Sequence, residues 1–261
     1  MTATLQDPVA SVEASVPAYG SHQRNQTADA LRALAALWVC LYHFTGGVGI
    51  GAFGYLGVTI FFVISGFIVP YSMMRGRYVI ASWPRFMLRR LIRLEPPYLV
   101  SVALLLTLGV IDMLAGTAPA WTAAQIVGHL GYVNAFLGLP WLNSVYWSLA
   151  VEFQFYVLIG LALPLLLAGT SATRIAALAL VACLPLLLPT RSNATIFPFL
   201  SVFAMGILTF LRSSDMIGRA STGLCWQHLR ELSSRSTTQV LLWRPREAQL
   251  CSRPSASHGS S

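Results

Sequence analysis

Residues 29–67 read DALRALAALWVCLYHFTGGVGIGAFGYLGVTIFFVISGF, which predicts two apolar helices joined by a glycine-rich turn. The first predicted helix covers about residues 31–50 and carries His43 inside an otherwise membrane-like run. The second covers about residues 53–74 and places Ser65 between apolar residues. Because an ionisable side chain at membrane depth is energetically costly, His43 is a functional-site hypothesis by default. The alternative interpretation is a histidine hydrogen-bonded to a neighbouring helix for structural reasons.

The composition predicts an all-α, polytopic transmembrane helix bundle. Of the 261 residues, 56% are hydrophobic and 10% are charged, and the mean hydropathy is +0.65, whereas a soluble domain has about 25% charged residues. The apolar runs are continuous rather than alternating, which favours helices over a β-barrel. We predict six spans, near residues 31–50, 53–74, 98–115, 145–167, 175–188 and 196–211. Residues 116–144 between them are expected on the outer side, as a re-entrant or interfacial segment.

The net charge of +8 is carried locally, by arginines. All 17 basic residues are arginine, and six of them lie between residues 75 and 93. By the positive-inside rule this loop is expected in the cytoplasm, together with the N-terminus. A local cluster of this kind indicates membrane topology and anionic ligands. The sequence lacks a basic patch with interleaved aromatic residues, the pattern that would indicate binding to nucleic acid. The four cysteines have no spacing typical of a metal site, so no metal is expected.

The two ends of the chain differ from the apolar region between them. Residues 1–28 are polar and lack the pattern of a signal peptide, and we expect a disordered cytoplasmic lead. Residues 213–261 are rich in serine and arginine and contain no run long enough to span a membrane. Two interpretations remain open for them: a disordered cytoplasmic tail, or an out-of-frame end that replaces further spans.

Arg32 and His43 are eleven residues apart, which on a helix is about 16 Å and places both on one face. Asp29 lies one turn before Arg32 and can orient it. A histidine with a pKa near 6.5 is suited to accept and return a proton at neutral pH. Arginine stays charged and binds phosphate or carboxylate through two hydrogen bonds.

Further along the chain, Arg90 and Arg93 are three residues apart, a spacing that suits a clamp for a phosphorylated ligand. Determination of topology is the alternative, and it would also account for the arginines at 75, 77 and 85. Glu152 lies inside a predicted span and needs a cationic partner, for structure or for chemistry. For Ser65 a hydrogen bond back to the preceding helical turn is expected rather than nucleophilic catalysis. Tyr98 is expected as an aromatic residue at the membrane boundary.

Four sequence blocks contain these residues in a fixed order. They comprise Asp29, Arg32 and His43; then Gly54, Gly57, Val58, Phe61, Phe62, Ile64, Ser65, Gly66 and Phe67; then Arg90, Arg93, Pro96, Pro97 and Tyr98; and finally Trp147, Ser148, Leu149, Glu152, Phe155 and Tyr156. In this order and spacing, over residues 29–212, the sequence resembles the acyltransferase 3 family of bacterial membrane O-acyltransferases. One position departs from the family pattern, because Phe153 stands where a second acid is often found.

The resemblance implies transfer of an acyl group, usually acetyl, from acyl-CoA to a carbohydrate hydroxyl at the bacterial inner membrane. Lipopolysaccharide, exopolysaccharide and glycolipid are the acceptors it implies, with acyl-CoA as donor substrate and no bound cofactor. It also implies about ten spans in a longer chain. Residues 29–212 are therefore expected to form a partial acyltransferase domain, followed by a truncated or frameshifted end.

The resemblance implies a role for each candidate residue. His43, assisted by Glu152 or Asp29, is the expected general base on the acceptor hydroxyl, or relays the acyl group. Arg90 and Arg93 are expected to hold the donor phosphates, Arg32 to orient the thioester end, and Ser65 and Tyr98 to contact substrate. Two further hypotheses stay open: a transporter or permease, which would also place ionisable residues in its spans, and an inactive remnant.

Overall fold

The computed structural model describes residues 26–49, 53–116, 121–143, 145–187, 195–218, 222–223 and 225–234, and all regular structure in these ranges is helical. The α-helices are α1 (Gln26–Phe44), α2 (Tyr55–Arg75), α3 (Trp83–Leu114), α4 (Ala123–Leu130), α5 (Asn134–Leu137), α6 (Tyr146–Ala168), α7 (Ser171–Leu187) and α8 (Leu200–Ser213). Short 3₁₀ turns precede α3 (Ile80–Ser82) and α8 (Phe197–Phe199). The predicted all-α bundle is confirmed.

In the part of the chain that the structure describes, three helices are long and apolar enough to cross a membrane. They are Tyr55–Arg75, Ile80–Ile111 and Tyr146–Ala168, and shorter apolar helices run over Ser171–Pro185 and Phe197–Ser213. Among the six predicted spans, α1 falls outside this group, and its first turn carries Asp29. The chain is a multi-pass membrane protein in which a few long helices are supported by shorter apolar ones.

The glycine-rich turn between α1 and α2 is present as predicted. Gly46, Gly47 and Gly49 have φ values of +63°, +77° and +61°, a region that side chains other than glycine rarely adopt. α1 therefore ends at Phe44, one residue after His43. His43 lies in the last turn of its helix rather than deep inside an apolar run.

α3 runs without interruption through the two prolines and begins at Trp83, well before the span predicted from about residue 98. Pro96 and Pro97 lack backbone donors, yet the helix continues on both sides of them. The 32 residues of α3 make a helix about 48 Å long, against about 30 Å for the hydrocarbon core of a bilayer. Its arginine-bearing first turns therefore extend beyond the apolar part of the bundle.

The centre of the bundle is the contact of α2, α6 and α8. Phe155 stacks on Phe203 with ring centroids 4.1 Å apart, and Phe62 lies 4.8 Å from Phe203. Gly66 and Gly206 meet backbone to backbone at the crossing of α2 and α8, since a Cβ on Gly206 would lie 2.8 Å from Gly66. Small residues at such a crossing let two apolar helices approach closely.

The segment between α3 and α6 folds back along α3. Gly109 near the end of α3 contacts Trp121, whereas His129 at the end of α4 contacts Tyr98, eleven residues earlier on α3. α6 then begins beside the same part of α3, where Tyr146 shares a hydrogen bond with Ser101. The described residues 121–143 thus lie against α3, and their placement as a re-entrant or interfacial segment stays a prediction.

The predicted boundaries at the two ends stay predictions. Residues 1–25 lie outside the described residues, as do 219–221, 224 and 235–261. Within the serine- and arginine-rich segment, residues 225–234 are helical, and Leu229 and Leu232 pack in the core. Part of the segment expected to be disordered or out of frame thus contributes apolar contacts to the bundle.

Candidate functional site

Glu152 is the centre of a polar network between α6 and α2. Its Oε1 accepts a hydrogen bond from Ser65 Oγ at 3.1 Å and another from the Tyr156 hydroxyl at 2.5 Å. Tyr156 lies one helical turn after Glu152, a spacing that brings the two side chains to the same face. Ser65 is 2% exposed, so its hydroxyl serves to hold the carboxylate. The expected bond of Ser65 to its own helix is replaced by this bond to Glu152.

Arg90 of α3 contacts the network through Tyr156. Its guanidinium carbon lies 5.3 Å from the Tyr156 ring centroid and 5.5 Å from that of Phe86, and a terminal nitrogen donates to Ser72 Oγ at 2.8 Å. Two aromatic faces and one hydroxyl thus fix the half-buried cation in one orientation. Tyr156 connects the anion to the cation, with its hydroxyl on Glu152 and its ring beneath Arg90.

Two further arginines belong to the same electrostatic neighbourhood. The charges of Arg93, Glu152 and Arg32 all act on Arg90, and Arg32 also acts on Tyr156. The structure therefore brings together five of the residues singled out by sequence, which are Arg32, Ser65, Arg90, Arg93 and Glu152. They come from four different helices, so tertiary packing is what collects them.

An open cavity of about 550 Å³ adjoins this network. It lies between the end of α2 and the first turns of α3, and its lining includes the arginines 77, 85, 89, 90 and 93 with the hydroxyls of Ser72 and Ser82. None of the described residues that line it is acidic. Tyr78 on the rim donates to the Gly160 carbonyl of α6 at 2.7 Å, which ties the cavity to the helix that carries Glu152. The volume and the charge suit a phosphorylated small molecule.

His43 and Asp29 lie apart from the network. His43 is exposed in the last turn of α1, with its ring 5.3 Å from that of Tyr42, and Asp29 is exposed in the first turn. The contacts of the described residues include none that joins His43 to Glu152 or to Asp29. Because Arg32 and His43 are eleven residues apart, the histidine lies about 16 Å along α1 from the arginine.

Tyr98 belongs to a different cluster, which also contains a histidine that sequence reasoning passed over. His129 is fully buried, and its Nε2 accepts from the Leu142 amide at 2.9 Å. Its Nδ1 must then carry the proton and donate to the Tyr98 oxygen at 3.0 Å, while the Tyr98 hydroxyl donates to the His129 carbonyl at 3.2 Å. Burial lowers the pKa of His129, which keeps the imidazole neutral.

With its phenol saturated in this way and 4% exposed, Tyr98 does not line the cavity. It stacks on Tyr132 with ring centroids 5.4 Å apart and helps to fix the segment that folds back along α3. Sequence reasoning gave no role to Tyr156 of the Glu152 network or to Ser72 of the cavity lining. Tyr156 could have been found from its position four residues after Glu152, whereas nothing in the sequence pairs Ser72 with Arg90.

The helix bundle defines an integral-membrane protein, and the arginine-lined cavity gives it a strongly cationic pocket. The sequence model of the acyltransferase domain of the acyltransferase 3 family matches residues 25–214. The chain belongs to this family. This confirms the resemblance inferred from the four sequence blocks.

Curated relatives agree with this assignment. The chain is 34% identical over 162 residues to BcsY of Komagataeibacter xylinus, named as a membrane-bound transacylase. The matched region covers 54% of this chain and 39% of BcsY. It is 32% identical over 152 residues to the O-acetyltransferase OatA of Staphylococcus aureus strain NCTC 8325, covering 53% of this chain and 24% of OatA. The chain thus spans less than half the length of these relatives. No solved structure matches significantly.

Proposed function

We propose that the chain transfers an acyl group from acyl-CoA to a hydroxyl of a carbohydrate such as lipopolysaccharide, exopolysaccharide or glycolipid. Acetyl is the proposed acyl group. The observation that carries the proposal is the cavity in which Arg90, fixed by Ser72 and Tyr156, adjoins Glu152. Guanidinium groups held in this way bind donor phosphates. The cavity lies beside the arginine cluster, so the donor enters from the cytoplasm and the N-terminus is on the same side of the inner membrane.

The distance between Arg32 and His43 defines the proposed path of the acyl group. With the phosphates at Arg90 and Arg93, the long pantetheine arm of the donor runs past Arg32 toward the exposed His43. There the imidazole takes the proton of the acceptor hydroxyl, whose oxygen attacks the thioester carbonyl. The carbon–sulfur bond breaks, and the departing thiolate receives the proton from the imidazolium. Glu152 acts at the donor end, where its negative charge stabilises the Arg90 guanidinium that lies over the Tyr156 ring.

A transfer assay in inverted membrane vesicles tests the proposal. The vesicles contain the chain and lipid-linked glycans, and radiolabelled acetyl-CoA is supplied outside them. We expect label in the glycan fraction, a loss of about 10²-fold or more in His43→Ala, and a marked loss in Glu152→Gln. Asp215→Asn is the matched control, because it removes a carboxylate of an exposed ion pair with Arg212 outside the network.

Each failure of this experiment has a distinct meaning. Absence of transfer by the folded chain would refute the activity and leave an inactive remnant. Uptake of glycan without labelling would favour a transporter instead. Near-normal transfer by His43→Ala would refute the histidine as general base while leaving the activity intact.

A further inference from the structure

Three of the arginines that line the cavity form a row along one face of α3. Arg85, Arg89 and Arg93 follow one another at intervals of four residues, and all three are exposed. The row is about 12 Å long between its first and last Cα atoms. Because long side chains of a helix lean in the same direction, toward its N-terminus, the guanidinium groups keep about this spacing. One phosphate group therefore contacts neighbours within the row and does not reach both ends.

The row is not neutralised by the cavity wall. Like charges four residues apart on a helix repel one another, and no acidic side chain is found among the described residues of the lining. The wall opposite the row is formed by the end of α2 and the following turn, which contribute Ser72, Gly76 and Arg77. Anionic groups from outside the chain are what this arrangement accommodates.

The inner and outer parts of the cavity differ in construction. Arg90 is half-buried and fixed by Ser72, Phe86 and Tyr156, and the charge of Arg93 acts on it. Arg89 and Arg85 lie one and five residues before Arg90 on α3, and both are exposed. The midpoint of Arg85 and Arg89 is thus about 7 Å along the helix axis from the midpoint of Arg90 and Arg93.

We propose that the cavity contains two phosphate subsites, an inner one at Arg90 and Arg93 and an outer one at Arg85 and Arg89. The ligand class is a nucleotide that carries a diphosphate and, apart from it, a phosphomonoester. The site therefore binds donors with this additional phosphate more tightly than donors without it. This inference rests on the proposed function, because it concerns the same acyl-CoA site. It assigns Arg85 and Arg89 to donor specificity, whereas the sequence alone explained Arg85 through topology.

Calorimetric titration of the full chain in phosphatidylcholine nanodiscs tests the inference, with CoA and 3′-dephospho-CoA as the two ligands at one fixed salt concentration. We expect CoA to bind about tenfold or more tightly than the dephospho compound, the effect of one charge-assisted phosphate contact. In the double variant Arg85→Gln and Arg89→Gln, the affinity for CoA falls to that for the dephospho compound. The affinity for 3′-dephospho-CoA itself changes by about twofold at most.

Arg75→Gln is the matched control, because Arg75 is an exposed arginine near the cavity that contacts Tyr71 and does not line it. Equal affinity of the wild-type chain for both ligands would overturn the two-subsite inference and leave the proposed donor site standing. Binding of neither ligand would overturn the donor site itself.

Two other results would replace the outer subsite with a different explanation. Equal weakening of both ligands by the double variant would show a general effect of charge. Phosphatidylglycerol added to the nanodiscs gives the last test. If it abolishes the difference in affinity between CoA and 3′-dephospho-CoA for the wild-type chain, and has no effect on the double variant, the outer arginines bind lipid headgroups. Retention of the discrimination in both lipid compositions supports the nucleotide.

Discussion

Tyr156 performs two functions that can be separated by substitution. Its hydroxyl donates to Glu152, and its ring lies beneath the guanidinium of Arg90. Tyr156→Phe keeps the ring, so the affinity for CoA is expected to stay within about twofold, whereas Tyr156→Leu removes the cation–π contact and weakens binding about fivefold or more. Titration of both purified variants measures the difference. Equal weakening in the two would show that the hydroxyl, rather than the ring, positions Arg90.

His129 predicts a pH dependence of stability. Its neutral imidazole accepts from the Leu142 amide, and burial lowers its pKa below the ordinary value near 6.5. The unfolded chain therefore binds this proton more readily than the folded chain, and the stabilising effect of neutral His129 is present above pH 6.5 and lost as the pH falls. The free energy of unfolding is therefore expected to decrease as the pH falls through 6.5.

Thermal unfolding in detergent between pH 7.5 and pH 5.5 measures this effect. His129→Gln retains an acceptor and cannot titrate, so its Tm is expected to change less over this range than that of the wild-type chain. An identical pH dependence in the two proteins would assign the titration to other groups. His43, which is exposed, provides the control variant His43→Gln, and the wild-type pH slope is expected to persist there.

At the scale of the helices, the crossing of α2 and α8 depends on two glycines. A Cβ on Gly206 would overlap the carbonyl oxygen of Val63 and lie 2.8 Å from Gly66. Gly206→Leu is therefore expected to separate the helices at a cost of about 1–3 kcal/mol or more, since an overpacked core must shift backbone. Gly218→Ala is the control, because a Cβ there meets no atom within 4 Å. Urea unfolding in mild detergent compares them, and equal stability would contradict the close crossing.

These helices also show which parts of the pattern in the sequence were informative. Gly54 and Gly57 of the second sequence block lie close to α1, where a Cβ on Gly54 would lie 2.6 Å from the Trp38 carbonyl oxygen and a Cβ on Gly57 would lie 2.5 Å from that of Ala35. The two prolines do not end α3, because local propensity is outweighed by packing in the bundle. The fold class thus followed from composition, and the bounds of α3 did not.

For the whole molecule, the proposed orientation can be tested with single cysteines. The native cysteines are first replaced by serine, after which Thr45→Cys lies in the turn after α1 and Ala81→Cys lies in the turn before α3. We expect an impermeant maleimide to label Thr45→Cys in spheroplasts with intact inner membranes. Ala81→Cys is expected to react only after the membrane is opened, because the adjacent arginines stay in the cytoplasm. The reverse pattern would refute the orientation and move the cavity to the outer side.

The sequence by itself determined the class of the molecule: a helical membrane protein, the family, and five residues that the structure brings together in one neighbourhood. Hydropathy and residue spacing are local properties, so they can be read along the chain. Only the tertiary structure decided that Ser65 and Tyr156 hold Glu152, that Ser72 fixes Arg90, and that Tyr98 pairs with His129 instead of substrate. The contacts of Ser65, Ser72 and Tyr98 join side chains on different helices. Their partners are set by how the apolar faces and glycine crossings pack, which no spacing within one helix encodes.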